Sequence, residues 1–154
     1  MKKLKLIYFL LAICTFSSCL DEDPQYALNS ESVFLDENTA QLALLSCYGQ
    51  LTTYDGFGQA AQELLVGASG LGWAQTNASD QDRYVSLNVS SGCVITKMFW
   101  RSLYKTVSET TFFIENMKES PLDEDFKTGL VAQAKFLRGF SYYHLLTTFG
   151  GVPL

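Results

Sequence analysis

The sequence predicts a mainly α-helical fold, a helical hairpin array with a long loop region, of which this chain is an N-terminal part. Three observations carry this. Three segments repeat apolar residues at steps of three and four; the stretch from Gly56 to Gly92 is instead rich in Gly, Ser, Asn, Gln and Asp; and the third periodic segment is apolar on two opposed faces. At roughly 100 to 200 residues per domain, 154 residues leave room for one domain and exclude two unrelated catalytic modules. A 47% hydrophobic content against 18% charged is enough to bury a core.

Residues 1–18 read as a secretory signal: Lys2, Lys3 and Lys5, an apolar run from Leu6 to Ile13, then small residues. The run is shorter than the roughly 20 residues that a membrane-spanning helix needs. Phe16-Ser17-Ser18-Cys19 resembles a bacterial lipobox, which makes Cys19 the first mature residue and the site of a diacylglyceryl group. Residues 19–35 are then the lipidated terminus and an acidic tether, Leu20-Asp21-Glu22-Asp23-Pro24, and residues 36–154 are the helical domain.

The first helix is expected from about Asp36 to Tyr54, with Ala40, Leu44, Cys47, Leu51 and Tyr54 on one face and Gly56 and Gly58 ending it. The second is expected from about Ile95 to Glu119, with Trp100, Leu103, Tyr104, Val107, Thr111 and Ile114 in one sector as core and Lys105 four residues before Glu109. Pro121 breaks it, and Asp123 is placed to cap a third helix from about Glu124 to Thr148. The short turn makes these two antiparallel neighbours. On the third helix Leu130, Ala134, Leu137, Ser141 and Leu145 form one stripe and Phe136, Phe140 and Tyr143 another, so it is sandwiched, and stacked hairpins would supply the missing cover. Arg138 lies within about 40° of the first stripe and is expected to be buried and paired.

With Cys14 in the signal and Cys19 acylated, Cys47 and Cys93 remain; Cys47 reads as a small core residue, and a bridge between the two is possible but not needed. One His and no Cys or His pair at ligand spacing give no metal site. Asp80-Gln81-Asp82 lacks the Gly and the bidentate Glu of a calcium loop, and His144 has no Ser or Cys partner for a nucleophilic triad. The formal charge is -5, more negative still without the signal's lysines, which excludes nucleic acid as a partner.

The residues converge on one family. Leu20-Asp21 follows the lipobox, Ser32-Val33-Phe34 precedes the first helix, and Tyr48-Gly49-Gln50-Leu51 lies within it. Trp100-Arg101-Ser102-Leu103-Tyr104-Lys105 is followed by Ile114-Glu115-Asn116, and Ala134-Lys135-Phe136-Leu137-Arg138 leads to Tyr142-Tyr143 and Phe149-Gly150-Gly151-Val152-Pro153-Leu154. Over nearly its whole length the chain resembles the N-terminal part of a SusD/RagB-family outer-membrane lipoprotein. It departs from the family pattern at Gln133, Gly139, Gly151 and Thr110-Thr111, positions of packing and capping rather than chemistry. The resemblance implies tetratricopeptide-like helical hairpins, a lipid anchor at the outer face of the outer membrane, and a nutrient-binding protein without catalysis or cofactor. It also implies an oligosaccharide or peptide ligand and a partner, a SusC-like TonB-dependent transporter.

Sugar binding needs an aromatic face for C–H groups and polar groups at its rim for hydroxyls. The stretch from Gly72 to Tyr84 offers both, which makes Trp73, Asn77, Asp80, Asp82, Arg83 and Tyr84 the candidate ligand-binding residues. The alternative for Trp73 is a plug that packs the loop onto the helices. Two other functions stand beside nutrient binding: a helical-repeat lipoprotein used for protein–protein interaction, and an exported hydrolase, for which Asp80 and Asp82 are too close in sequence to be assigned as the acid pair.

Overall fold

Asp36 starts the first helix because its carboxylate accepts from Thr39 N at 3.1 Å, while Thr39 Oγ1 donates to Val33 O at 2.8 Å and fastens the preceding turn. This is the first element of a computed structural model that describes residues 32–72 and 80–154. The described elements are α1 (Glu37–Leu51), a π-helical turn (Tyr54–Gly58), α2 (Ala60–Ala68), α3 (Asp80–Val85), α4 (Val94–Glu119) and α5 (Glu124–Phe149), with no strand among them. The mainly α-helical expectation is met. No described helix is long and apolar enough to cross a membrane.

Helix α1 stops at Leu51, short of the expected Tyr54. The Thr52 and Thr53 hydroxyls take the Gly49 and Gln50 carbonyls, both at 2.9 Å, so the helical ladder is closed off by side chains. Tyr54 therefore leaves the stripe and is 60% exposed. Gly56 sits in the π-helical turn against α4: a Cβ there would lie 2.6 Å from Leu51 O and 2.8 Å from Ser102 Oγ, so only glycine allows the approach.

The long loop expected from Gly56 to Gly92 is corrected by two helices inside it, α2 and α3. Helix α2 buries Ala60, Ala61, Leu64 and Gly67, a face made mostly of small residues. A Cβ on Gly67 would come within 2.9 Å of Tyr84 Cβ, which is how α3 nests on α2.

Helices α4 and α5, of 26 residues each, form the antiparallel hairpin that carries the rest. Asp123 Oδ1 accepts from the N–H groups of Asp125 and Phe126 at 3.0 and 3.1 Å, as its capping position predicts. In the turn between the two helices, Ser120 Oγ donates to Phe34 O at 2.6 Å, and the buried Lys127 ammonium donates to Ser120 O at 3.0 Å and pairs with Glu124 at 2.7 Å. Two cores result. One gathers Phe34, Leu44, Cys47, Phe113, Met117 and Leu137 near that turn; the other gathers Leu64, Tyr84, Cys93, Phe99, Leu103 and Leu145 at the far end. Cys47 and Cys93 are buried free thiols in different cores, and burial, helped by Glu109, pushes the Cys47 thiol up to about 11.

Buried hydroxyls run along the helix pair. Thr106 donates to Ser102 O at 3.1 Å, Thr110 to Thr106 O at 2.7 Å and Ser141 to Leu137 O at 3.0 Å, so each is satisfied within its own helix and leaves a small surface for close packing. Of the second apolar stripe of α5, Phe136 at 66% and Tyr143 at 62% exposure are open, joined by Leu146 at 58%, whereas Phe140 is half-buried and packs on Phe57 at 5.2 Å. Arg138 departs from expectation: it is half-buried, and its Nη1 donates to a neutral partner, Thr111 Oγ1, at 3.4 Å. On a helix at the margin of the packed stripe its long stem reaches out, which removes the need for a buried carboxylate.

Candidate functional site

Of the residues proposed from sequence, Cys19, Trp73 and Asn77 lie outside the described residues, as do the side chains of Asp80 and Asp82, whose backbones open α3. Arg83 follows in the last turn of α3 and is exposed. Tyr84 is corrected. It is 1% exposed, packed in the second core, with its phenol hydrogen-bonded to Thr96 Oγ1, so its ring is no platform for a sugar. The close approach at Gly67 is what lets it sink there.

The described surface offers a different aromatic site. Trp100 and Tyr104, expected in the core, are half-buried and stand on the wall of an open groove of about 1000 Å³ between α4 and the segment after α5. Their rings lie 4.8 Å apart, and Phe149 meets Trp100 edge-on at 5.0 Å. Tyr104 donates its phenolic hydrogen to Pro153 O at 2.7 Å, which holds the chain after α5 against α4 as the groove's far side. That turn is possible because Gly150 adopts φ +81° and returns its N–H to Leu146 O at 2.9 Å.

Polar groups complete the groove. Lys97, Arg101 and Lys105 line it together with Ser91, Thr96 and Ser108. Thr96 is the partner of Tyr84, so the groove and the end of the candidate loop share a hydrogen bond. Chemically this is a surface that can stack a flat apolar face and bond a polar rim, in the size range of small-molecule sites. Its signal was present in sequence: at 100° per residue, positions 97, 100, 101, 104, 105 and 108 fall in one sector of α4. In sequence the two aromatic residues read as core because their stripe continues into Leu103 and Val107.

Toward the same end of α5, His144 is ringed by Phe140 at 4.6 Å, Phe57 at 4.8 Å and Tyr143 at 5.2 Å. Burial against these rings holds its pKa below the usual imidazole value. It is a packed, neutral histidine.

Residues 20–154 match the family described as starch-binding associating with outer membrane. Two curated relatives from Formosa agariphila are similar over 99% of the chain: SusD-like protein P2, 29% identical, and SusD-like protein P25, 25% identical. The chain spans 31% of the length of each. No solved structure matches it.

Proposed function

The chain belongs to the SusD-like family of outer-membrane-associated binding proteins, and on that premise we propose that it is the N-terminal part of a cell-surface lipoprotein that binds a glycan nutrient and passes it to a SusC-like TonB-dependent transporter. The observation that carries the reading is the groove, where Trp100 and Tyr104 stand side by side above hydroxyl and cationic groups. Cys19 anchors the protein through its lipid, and the acidic tether of residues 20–24 sets the domain off the bilayer. The stretch from Gly72 to Tyr84 also takes part in this reading, Trp73 by stacking on a sugar ring and Asn77, Asp80, Asp82 and Arg83 by bonding its hydroxyls. The chain provides binding and positioning, and no bond is broken on it.

Calorimetric titration of the purified protein with a panel of neutral and acidic oligosaccharides tests this. The expected result is saturable binding to at least one, weakened at least about tenfold by Trp73→Ala or Trp100→Ala, as for truncation of an aromatic anchor. Failure of the whole panel to bind would remove the reading.

A second reading is favoured by the open face of α5. Phe136, Tyr143 and Leu146 suit a partner protein, so the helical array is also proposed as a protein-interaction scaffold. Retention of a transporter by the immobilised protein, lost in Phe136→Gln with Leu146→Gln, would join the two readings.

A further inference from the structure

The groove beside Trp100 has a charge opposite to that of the chain. Lys97, Arg101 and Lys105 recur every four residues along α4 and all line it, while no Asp or Glu among the described residues does, in a protein of formal charge -5. Elsewhere on the same hairpin cations are held by acids a turn away: Lys118 lies 2.9 Å from Glu115, and Lys127 lies 2.7 Å from Glu124. Lys105 is loosely matched by Glu109 at 3.7 Å. Lys97 and Arg101 make no ion pair among the described residues, and Asp55, which shares an adjoining cleft with Arg101, pairs with neither.

The chemistry of those groups narrows the ligand. A neutral sugar presents hydroxyls, which both donate and accept; amides and carboxylates serve it well, whereas three cations only donate. A carboxylate or sulfate ester only accepts, and an Arg fork beside a Lys matches it in charge and in geometry. The Trp100 ring next to Arg101 supplies the apolar surface for the sugar to which such a group is attached. The hydroxyls of Ser91 and Ser108, which have no hydrogen-bond partner among the described residues, remain for ring hydroxyls at the groove's two ends.

We propose that this groove takes an acidic oligosaccharide, with Trp100 stacked on one sugar ring and Arg101 and Lys97 pairing with carboxylate or sulfate groups on that ring and its neighbour. The inference rests on the glycan-binding reading above and assigns the class of sugar.

The test titrates the protein with three probes by calorimetry: a hexamer of galacturonate, a sulfated galactan hexamer, and maltohexaose as the neutral control. The expected result is that an acidic probe binds at least about tenfold tighter than maltohexaose, and loses affinity severalfold when ionic strength rises to a Debye length of a few ångströms. Lys97→Gln with Arg101→Gln should weaken that acidic probe about tenfold at an unchanged melting temperature, and the exchange Lys97→Arg with Arg101→Lys should keep most of the binding. Both positions are exposed, so the fold does not depend on them. Maltohexaose bound as tightly as either acidic probe, or an acidic probe indifferent to the double variant, overturns the inference and leaves glycan binding standing. No binding of any of the three overturns the inference, and the remaining sugars of the neutral panel then decide the broader reading separately.

Discussion

Tyr104 and Pro153 are 49 residues apart in sequence, yet the phenol of one donates to the carbonyl of the other at 2.7 Å. The bond turns the chain after α5 into a wall of the groove and brings Phe149 edge-on to Trp100. Tyr104→Phe keeps the ring and removes the donor, leaving a carbonyl that solvent can reach. The expected cost is about 0.5 to 1.5 kcal/mol in chemical denaturation, with faster amide exchange in the segment from Gly150 to Leu154. Unchanged exchange there would mean that the Phe149 contact alone holds the wall.

Two glycines should respond in opposite senses to alanine. At Gly56 a Cβ meets Leu51 O at 2.6 Å and Ser102 Oγ at 2.8 Å, so Gly56→Ala must push the π-helical turn off α4 and cost about 1 to 3 kcal/mol. Gly139 stands in the middle of α5 with nothing within 4 Å of the added carbon, so Gly139→Ala should gain up to about 1 kcal/mol from helix propensity. Thermal melting of the pair decides it, and equal shifts of one sign would contradict the packing.

His144 makes stability depend on pH. Desolvation by the surrounding rings lowers its folded-state pKa below the ordinary 6.5, so over the interval between the two values the unfolded chain binds more protons. Its neutral form is fully accommodated above about pH 6.5, and stability falls as pH drops through the lowered folded value. His144→Phe should flatten that slope. The check is urea denaturation at a series of pH values together with imidazole proton titration by NMR, where a folded pKa above the ordinary value would reverse the sign.

The sequence carried the long helices and the caps because those depend on local chemistry: period, the Asp123 carboxylate and the break at Pro121. It hid α2, whose buried face is Ala60, Ala61, Leu64 and Gly67, because this short helix lies within a stretch whose Gly, Ser, Asn, Gln and Asp content reads as loop. It misplaced Tyr84 and the Trp100–Tyr104 pair for a common reason. Whether an aromatic residue is a core residue or a wall is set by what lies opposite, here Gly67 in one case and the returning chain at Pro153 in the other, and both relations are non-local.

The proposed lipid anchor rests on sequence. Cys19 follows a short apolar run and small residues, so Cys19→Ala should abolish incorporation of a fatty-acid analogue and shift the protein from the membrane to the soluble fraction. An unlabelled wild-type protein would leave the segment as an ordinary cleaved signal.

The open face of α5 is the remaining liability. Phe136, Tyr143 and Leu146 lie one and two turns apart and are each more than half exposed, a run of apolar surface that water disfavours and that a second surface would cover. The domain from Ser32 to Leu154, purified without anything on that face, should self-associate or melt with poor cooperativity. Replacing Phe136 and Leu146 with Gln removes apolar area that contributes nothing to either core, so this variant should be monomeric by sedimentation velocity at concentrations where the parent associates, with an equal or sharper melting transition. If the parent is already a monodisperse monomer with a sharp transition, the face is adequately served by its own residues, through the stacking of Phe136 on Phe140 at 6.2 Å, and needs no partner.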